Sequence, residues 1–455
     1  MILRAACIGF LLLACACGKK PAPHVRRGPM EPPAFWVWHR SSPLKPAELE
    51  TLRANGVRML SWQAAECGWS GKDWLVNRIS APVDGGAGLK VVPVFRLKPD
   101  AGFLASPDAA VQLAKAARAW RGGRAGPEEI ELDFDCPARL LGNYAKFLHA
   151  FGKEVSPARV SITALASWPR HPQFGKLADA VSSFRPMFYD LTADTPVRVK
   201  NNRFHPIADD EAMVLMENSW KMCPKPWRAG LPSFERVTVF KSDGTLIGHL
   251  RGWRPDEVLF HPGLKPKPLG KGVTLFEVTA AGNLAGTRIE PGMKVVHRAP
   301  DVGKLASLTR AAERNGAEGI IWFALPGPGI PAAISVTQLA HLDNAASPVL
   351  RLAGNGVLRL ENPGPADLTT RAWELEIRSS QPAAFQSASP GEFAAVSVPD
   401  ALPAELSSSL TLRFSQLRAG ASLSSGPLVR DGAALTWSIR GLTPEQLLKP
   451  ADSSR

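Results

Sequence analysis

The chain has 455 residues, 45% apolar and 21% charged, a balance that excludes a wholly disordered protein and leaves room for two or three domains. Basic residues exceed acidic ones by 13 (54 − 41), which raises nucleic acid as a partner. The excess is too dispersed for that partner: residues 1–30 hold five basic residues and no acid, residues 351–455 balance ten against ten, and no block of five or six like charges occurs.

The first element is an address. Arg4 precedes an apolar run, residues 5–14 (AACIGFLLLA), too short to span a bilayer and suited to a signal h-region. Leu12-Leu13-Ala14-Cys15 resembles the bacterial lipobox, which makes residues 1–15 a lipoprotein signal and Cys15 the acylated residue. Residues 16–33, rich in proline and basic side chains, read as a disordered tether. Ala16 follows the cysteine in place of an aspartate, so the expected location is the cell envelope, lipid-anchored, in the outer membrane of a diderm cell and facing periplasm or exterior. Cys7 falls in the signal; beyond Cys15 and Cys17 the mature chain has only Cys67, Cys136 and Cys223, which make neither a disulfide framework nor a zinc site and read as buried free thiols.

Eight apolar runs follow in order: 35–40, 57–65, 89–97, 129–135, 159–166, 184–191, 227–232 and 319–325. They are rich in Val, Ile, Phe and Trp, as strands are. Between them lie helical patterns at 46–54, 109–120, 139–151 and 304–314. Repeated strand–helix alternation over residues 34–345 predicts an α/β fold, a (β/α)8 TIM-like barrel, with an open doubly wound sheet as the alternative. No dinucleotide fingerprint or P-loop follows any strand, so no nucleotide cofactor is expected. Residues 233–300 break the alternation and carry a hairpin around Ser242-Asp243-Gly244; they form an insertion between strands 7 and 8. From 346 to 455, short apolar runs separated by Gly, Pro and Ser predict a small antiparallel β-sandwich.

Active sites of such barrels lie at the C-terminal ends of the strands. The fourth strand carries Glu131, Asp133 and Asp135, and residues two apart share one face, so all three acids point into the barrel while Leu132 and Phe134 meet the helices. Arg96, ending strand 3, is a natural partner for Glu131 or Asp133. A structural ion-pair network is the alternative reading of the acids. Other strand ends present His39 and Arg40, Gln63 and Glu66, Thr163 and Trp168, Tyr189 and Asp190, and Trp322. Aromatic faces with carboxylates suit a sugar site, in which rings stack on pyranoses and carboxylates do acid–base work.

Four stretches then resemble a family: Phe35–Arg40 (FWVWHR), Glu131–Pro137 (ELDFDCP) followed by Leu141, Tyr144, Phe147 and Leu148, Ser161–Trp168 (SITALASW), and Ile320–Pro326 (IIWFALP). Together they are similar to the bacterial domain of unknown function 3142 over roughly residues 33–340, a resemblance that implies a fold and no established activity. A weaker likeness is to chitinase-like family 18 glycoside hydrolases: Asp133 and Asp135 resemble the last two aspartates of their fourth-strand pattern, Pro137 stands where that reading puts the Glu donor, and Gly230-Leu231-Pro232 resembles a strand end of such barrels.

The residues therefore predict a surface lipoprotein acting on a polysaccharide, with Asp135 or Asp133 as base or nucleophile and Glu66 as general acid. His39, Arg96, Glu131, Trp168, Tyr189 and Trp322 are the expected substrate-binding set. The alternatives are a non-catalytic carbohydrate-binding or scaffolding lipoprotein, and a metal-assisted hydrolase using Asp133, Asp135 and His39; the leading reading needs neither metal nor cofactor.

Overall fold

A computed structural model describes residues 22–80, 88–120, 127–327, 330, 334–342, 347–354, 356–383, 390–397, 407–427 and 434–447. The signal segment and Cys15 lie outside the described residues. Eight parallel strands close into a barrel: β1 (Ala34–Val37), β2 (Met59–Trp69), β3 (Lys90–Leu97), β4 (Glu129–Asp133), β5 (Arg159–Leu165), β6 (Ser183–Met187), β7 (Arg228–Pro232) and β8 (Gly319–Phe323). Closure is made by β1, on which Trp36 pairs in register with Phe323 of β8 on one side and Ser61 of β2 on the other. A closed barrel leaves no free sheet edge, so the open doubly wound alternative does not hold.

Helices cover the outer face. The longer ones are α1 (Pro46–Ala54), α2 (Ala109–Ala119), α3 (Leu141–Val155), α4 (Phe174–Asp179), α5 (Asp210–Asn218) and α6 (Val302–Arg314). Their starts follow from local chemistry. Pro46 opens α1, where a missing N–H costs nothing, and Asp301 caps α6 by accepting from the backbone N–H of Lys304 at 2.7 Å. Leu113, Tyr144, Phe147, Phe151 and Leu308 of these helices pack on the outward strand residues Trp62, Phe95, Leu132 and Ile162. A second, smaller core fills the barrel itself: Ala34, Trp36, Val94 and Ile321, with Met59, Met187, Trp38 and Phe323 against them. Gly230 of β7 makes room for Trp36, since a Cβ there would lie 2.7 Å from its ring and 2.9 Å from the Pro186 carbonyl.

The insertion between β7 and β8 is a five-stranded antiparallel sheet, in the order Leu246–His249, Arg236–Phe240, Lys294–Arg298, Val273–Val278, Leu264–Gly270. Its hairpin turns at Asp243-Gly244: Asp243 accepts from the N–H of Thr245 at 2.8 Å, and Gly244 has φ +85° with Pro196 pressed against it. After the barrel come two antiparallel sheets. One contains Arg351–Ala353, Arg359–Glu361 and Ser422–Ser424; the other contains Trp373–Ala383, Ala395–Ser397, Ser407–Phe414 and Leu435–Gly441. Leu360 from the first meets Leu375, Ile377, Leu412 and Phe414 from the second, a sandwich-like core. Asp367 ties it to the barrel, accepting from the N–H of Ser335 at 2.9 Å.

Two features go beyond the expected pattern. Trp74–Arg78 adds an antiparallel strand to the protruding end of β2. Residues 22–33, the second part of the expected tether, carry no helix or strand but bind the barrel: the His24 N–H donates to the Cys223 carbonyl at 2.7 Å and the Glu31 N–H to the Glu318 carbonyl at 2.6 Å.

Candidate active site

The β4 acids form a ladder up the inside of the barrel, starting one rung below the expected set. Glu129 is at the floor, bound by Lys90 at 2.5 Å and Arg185 at 2.8 Å. Glu131 is next, fully buried, between Arg185 at 2.8 Å and the Trp36 indole N–H at 2.7 Å. Asp133 follows, 4% exposed, bound by Arg96 at 2.8 Å and accepting from the Thr163 hydroxyl at 2.7 Å. Asp135 is at the mouth, its side chain 41% exposed, bound by the other arm of Arg96 at 2.8 Å.

The ladder divides into two electrostatic halves. In the lower half Arg185 and Lys90, with Arg159 3.6 Å from Glu129 at the edge, face two acids. Burial pushes Glu129 up, but Arg185 and Lys90 outweigh it and hold that carboxyl down at about 2. Glu131 is raised above the usual carboxylate range by burial, against the pull of Arg185 and Trp36. In the upper half one cation serves two acids. Burial raises Asp133, Arg96 opposes that rise, and the neighbouring Asp135 adds to it. An acid pair short of one cation is where a proton or a ligand is taken up.

Glu66 reaches this level through a break in β2. The β2–β3 register shifts between Gln63 and Ala65, and Ala64 and Ala65 both pack in the outer core. Such a bulge turns the alternation over. Cys67 then packs outward and Glu66 faces the barrel side. Glu66 pairs in register with Arg96, and Arg96 with Asp133, so the three lie in one row across β2, β3 and β4. Glu66 is half-buried and has no hydrogen-bond or ion-pair partner among the described residues.

Aromatic side chains rim the same end. Tyr189 stacks on Phe323 with ring centroids 5.8 Å apart and meets Phe234 edge-on at 5.8 Å, and Trp38 meets Phe323 at 5.5 Å. Burial and the nearby charges of Asp133, Asp190 and Asp135 push the Tyr189 phenol well above its usual range, so its hydroxyl stays a donor beside the aspartates. His39 is exposed at φ +51°, its N–H held by the Gln63 side-chain oxygen at 2.9 Å. Among the described residues no three His, Cys, Asp or Glu side chains are grouped to hold a metal ion, and His39 does not join Asp133 and Asp135 in such a set.

Several expected site residues lie elsewhere. Trp168 and Trp322 are 1% and 2% exposed and pack in the outer layer against the helices, so neither can stack on a ligand at the mouth. Glu131 is sealed beneath Trp36 and paired with Arg185, not Arg96. Arg40 is fixed by Glu48 through contacts of 2.8 and 2.7 Å, which hold the loop between β1 and α1. The rim aromatics Trp38, Phe323 and Phe234 take the place of the two tryptophans. Period two on β1 and β8 carries the signal for Trp38 and Phe323, since each follows an inward residue, Trp36 or Ile321, by two. Pro137 lies beyond the strand in the turn before α3, so the inward row ends at Asp135 itself.

With this geometry in view, the chain can be set beside known proteins. Residues 87–246 match the family model of a domain of unknown function, DUF3142. The resemblance read from the four sequence stretches points to that model. The DUF3142 match takes in Arg96, Asp133, Asp135 and Tyr189, and runs from the approach to β3 into the first hairpin of the insertion. No curated protein matches the chain. Similar solved structures include a chitinase from Chromobacterium violaceum, 16% identical, TM-score 0.44, covering 65% of this chain and 94% of that one. They also include a spore cortex-lytic enzyme from Bacillus megaterium, 12% identical, TM-score 0.45, covering 68% and 73%. A third is a family 18 chitinase from Cycas revoluta in complex with (GlcNAc)4, 12% identical, TM-score 0.43, covering 64% and 94%.

Proposed function

We propose that the chain is a lipid-anchored envelope protein whose barrel mouth binds a polysaccharide and cleaves it by carboxylate acid–base catalysis. The observation that carries this is the row Glu66–Arg96–Asp133 with Asp135 above it. It combines a buried acid raised above its usual range, an exposed acid at the mouth and an unpartnered acid across the row. Neighbouring strands are about 4.8 Å apart, so the backbones of Glu66 and Asp133 lie about 10 Å apart, and inward-reaching side chains close that distance towards the ~5–9.5 Å of glycosidase pairs. In this reading Glu66 is the general acid and Asp135, steadied by Arg96, is the base or nucleophile. Asp133 sets the charge beneath them. Tyr189 supplies a donor and, with Trp38 and Phe323, apolar faces for sugar rings. Cys15 carries the acyl chain.

The test is release of reducing ends from purified envelope polysaccharides. Asp135→Asn and Glu66→Gln are each expected to lower the rate by about 10²–10⁴-fold with the fold intact. Full activity in both variants would overturn the assignment. A second reading, non-catalytic glycan binding, is favoured by one observation: Arg96 already ties up both aspartates through its two arms. Retention of a glycan with no product after long incubation would select it.

A further inference from the structure

The floor of the barrel, opposite the mouth, has its own design. It is formed by the N-terminal ends of the strands and by residues 22–33, which are bound across it. The His24 ring contacts Glu318 at 2.5 Å, the Arg26 guanidinium donates to the Ala317 carbonyl at 2.8 Å, and Arg228 donates to the Pro32 carbonyl at 2.8 Å and pairs with Glu31. Glu318 and Ala317 precede β8, and Cys223, which receives the His24 N–H, precedes β7. All of these anchors are on the floor side. Nearby, Val25 and Met222 are 74% and 59% exposed, apolar tips on the floor side. Exposed Arg27, Arg58, Arg159 and Lys221 lie in the same loops and strand starts. The acids on the same side include Glu31, paired with Arg228, Glu318, paired with His24, Glu313, beside Arg26, and the exposed Glu128. Apolar tips among cations are the chemistry of a surface that rests on anionic lipid headgroups.

We infer that the barrel floor is a docking surface for an anionic bilayer, so that the protein stands floor-down with its mouth turned away from its own membrane. The inference rests on the lipid anchor proposed above. His24 is nine positions after Cys15, a reach of about 30 Å when fully extended. Asp135 is six positions after Glu129 and two beyond the end of β4, about 20 Å of extended chain. A leash leaving from the floor holds the lipid on the floor side, and bringing the mouth to it would need the leash drawn out fully round the helical layer. Substrate then comes from the far side: a polymer lying above the membrane, not a lipid-linked precursor within it.

The experiment uses the full acylated chain in vesicles with about 30% phosphatidylglycerol. In a Cys17→Ser background, a fluorophore is placed on the floor by Lys221→Cys or on the mouth side by Ser41→Cys; Cys67, Cys136 and Cys223 are buried and do not compete. The expected result is several-fold stronger quenching of the floor label by headgroup nitroxides. Equal quenching, or stronger quenching at Ser41→Cys, overturns the orientation while the acyl mass leaves the anchor standing. An absent acyl mass removes the anchor reading. The floor surface then survives only if the unacylated chain cosediments with these vesicles, releases from neutral ones, and loses about tenfold or more partitioning in Arg27→Glu/Lys221→Glu. Binding insensitive to lipid charge overturns it.

Discussion

Replacing Arg185 by methionine tests the lower half of the acid ladder. Arg185 is 3% exposed and lies between two carboxylates that are 7% and 0% exposed, at 2.8 Å from each. Methionine keeps the apolar stem and removes the charge. Glu129 keeps Lys90, but Glu131 loses its ion-pair partner and keeps neutral donors such as the Trp36 indole N–H. Removing one partner of a buried ion pair costs about 3–5 kcal/mol, the expected loss at pH 8. Glu131 can relieve part of this by taking a proton. Its folded pKa already lies above the ordinary 4.5, and losing Arg185 raises it further. Between the unfolded and folded values the native state then binds more protons, so stability falls as pH rises, and the variant's deficit shrinks at pH 5. Glu129 in the wild type has the opposite sign. Held at about 2 against 4.5, it stabilises the fold above pH 4.5 by about 3 kcal/mol, and that contribution is lost as pH falls from 4.5 towards 2. Urea unfolding followed by tryptophan fluorescence at pH 8 and pH 5 measures the variant's deficit, and in the wild type between pH 4.5 and 2 the loss of the Glu129 contribution. A loss below about 1 kcal/mol at pH 8, or the same loss at pH 5, would refute the charge accounting.

Three further outcomes follow from the same geometry. Gly230→Ala sets a methyl 2.7 Å from the Trp36 ring and should destabilise by about 1–3 kcal/mol, read as a shift in urea midpoint with unchanged slope; an unchanged midpoint would show that Trp36 can yield. Iodoacetamide at pH 8 should leave Cys67, Cys136 and Cys223 unmodified in the native state, because burial pushes each thiol up to about 12, and should modify all three in urea; peptide mapping that finds a native adduct at any of them contradicts this. Arg96→Met removes the cation that counters burial at Asp133, so the acidic limb of the pH profile for polysaccharide turnover or binding should move up by about 1–3 units, and an unmoved limb would dissociate Asp133 from the site.

Most of the barrel was legible because its strands and helices differ in period and the helices carry their own stops. β4 was the clearest case, since acids alternate with Leu132 and Phe134 and two-residue periodicity sorts them into inward and outward faces. The same reasoning failed for Trp168 and Trp322. Barrel strands are buried on both faces, so β8 reads as a continuous apolar run and does not say which ring points out. Trp322 looked like a rim residue, yet its neighbours Ile321 and Phe323 are the ones inside. The strand Trp74–Arg78 was hidden for another reason: it is short, half polar and depends on pairing with β2, which no local signal announces. The binding of residues 22–33 to the floor also depends on distant partners, Cys223 and Glu318, some 200 to 300 positions away.

The bulge at Ala64–Ala65 makes backbone register, and not side-chain identity, the switch that aims Glu66. Deleting one alanine would remove the bulge and leave Glu66 facing the barrel, still opposite Arg96. Straightening the strand with both alanines kept would instead turn the carboxyl into the helical layer and bring the Cys67 thiol round to the mouth. The bulge thus decides whether this row ends in an acid or in a soft nucleophile, without substituting any residue of the row. Chains with this barrel should therefore be compared for the bulge in β2 before their site residues are matched.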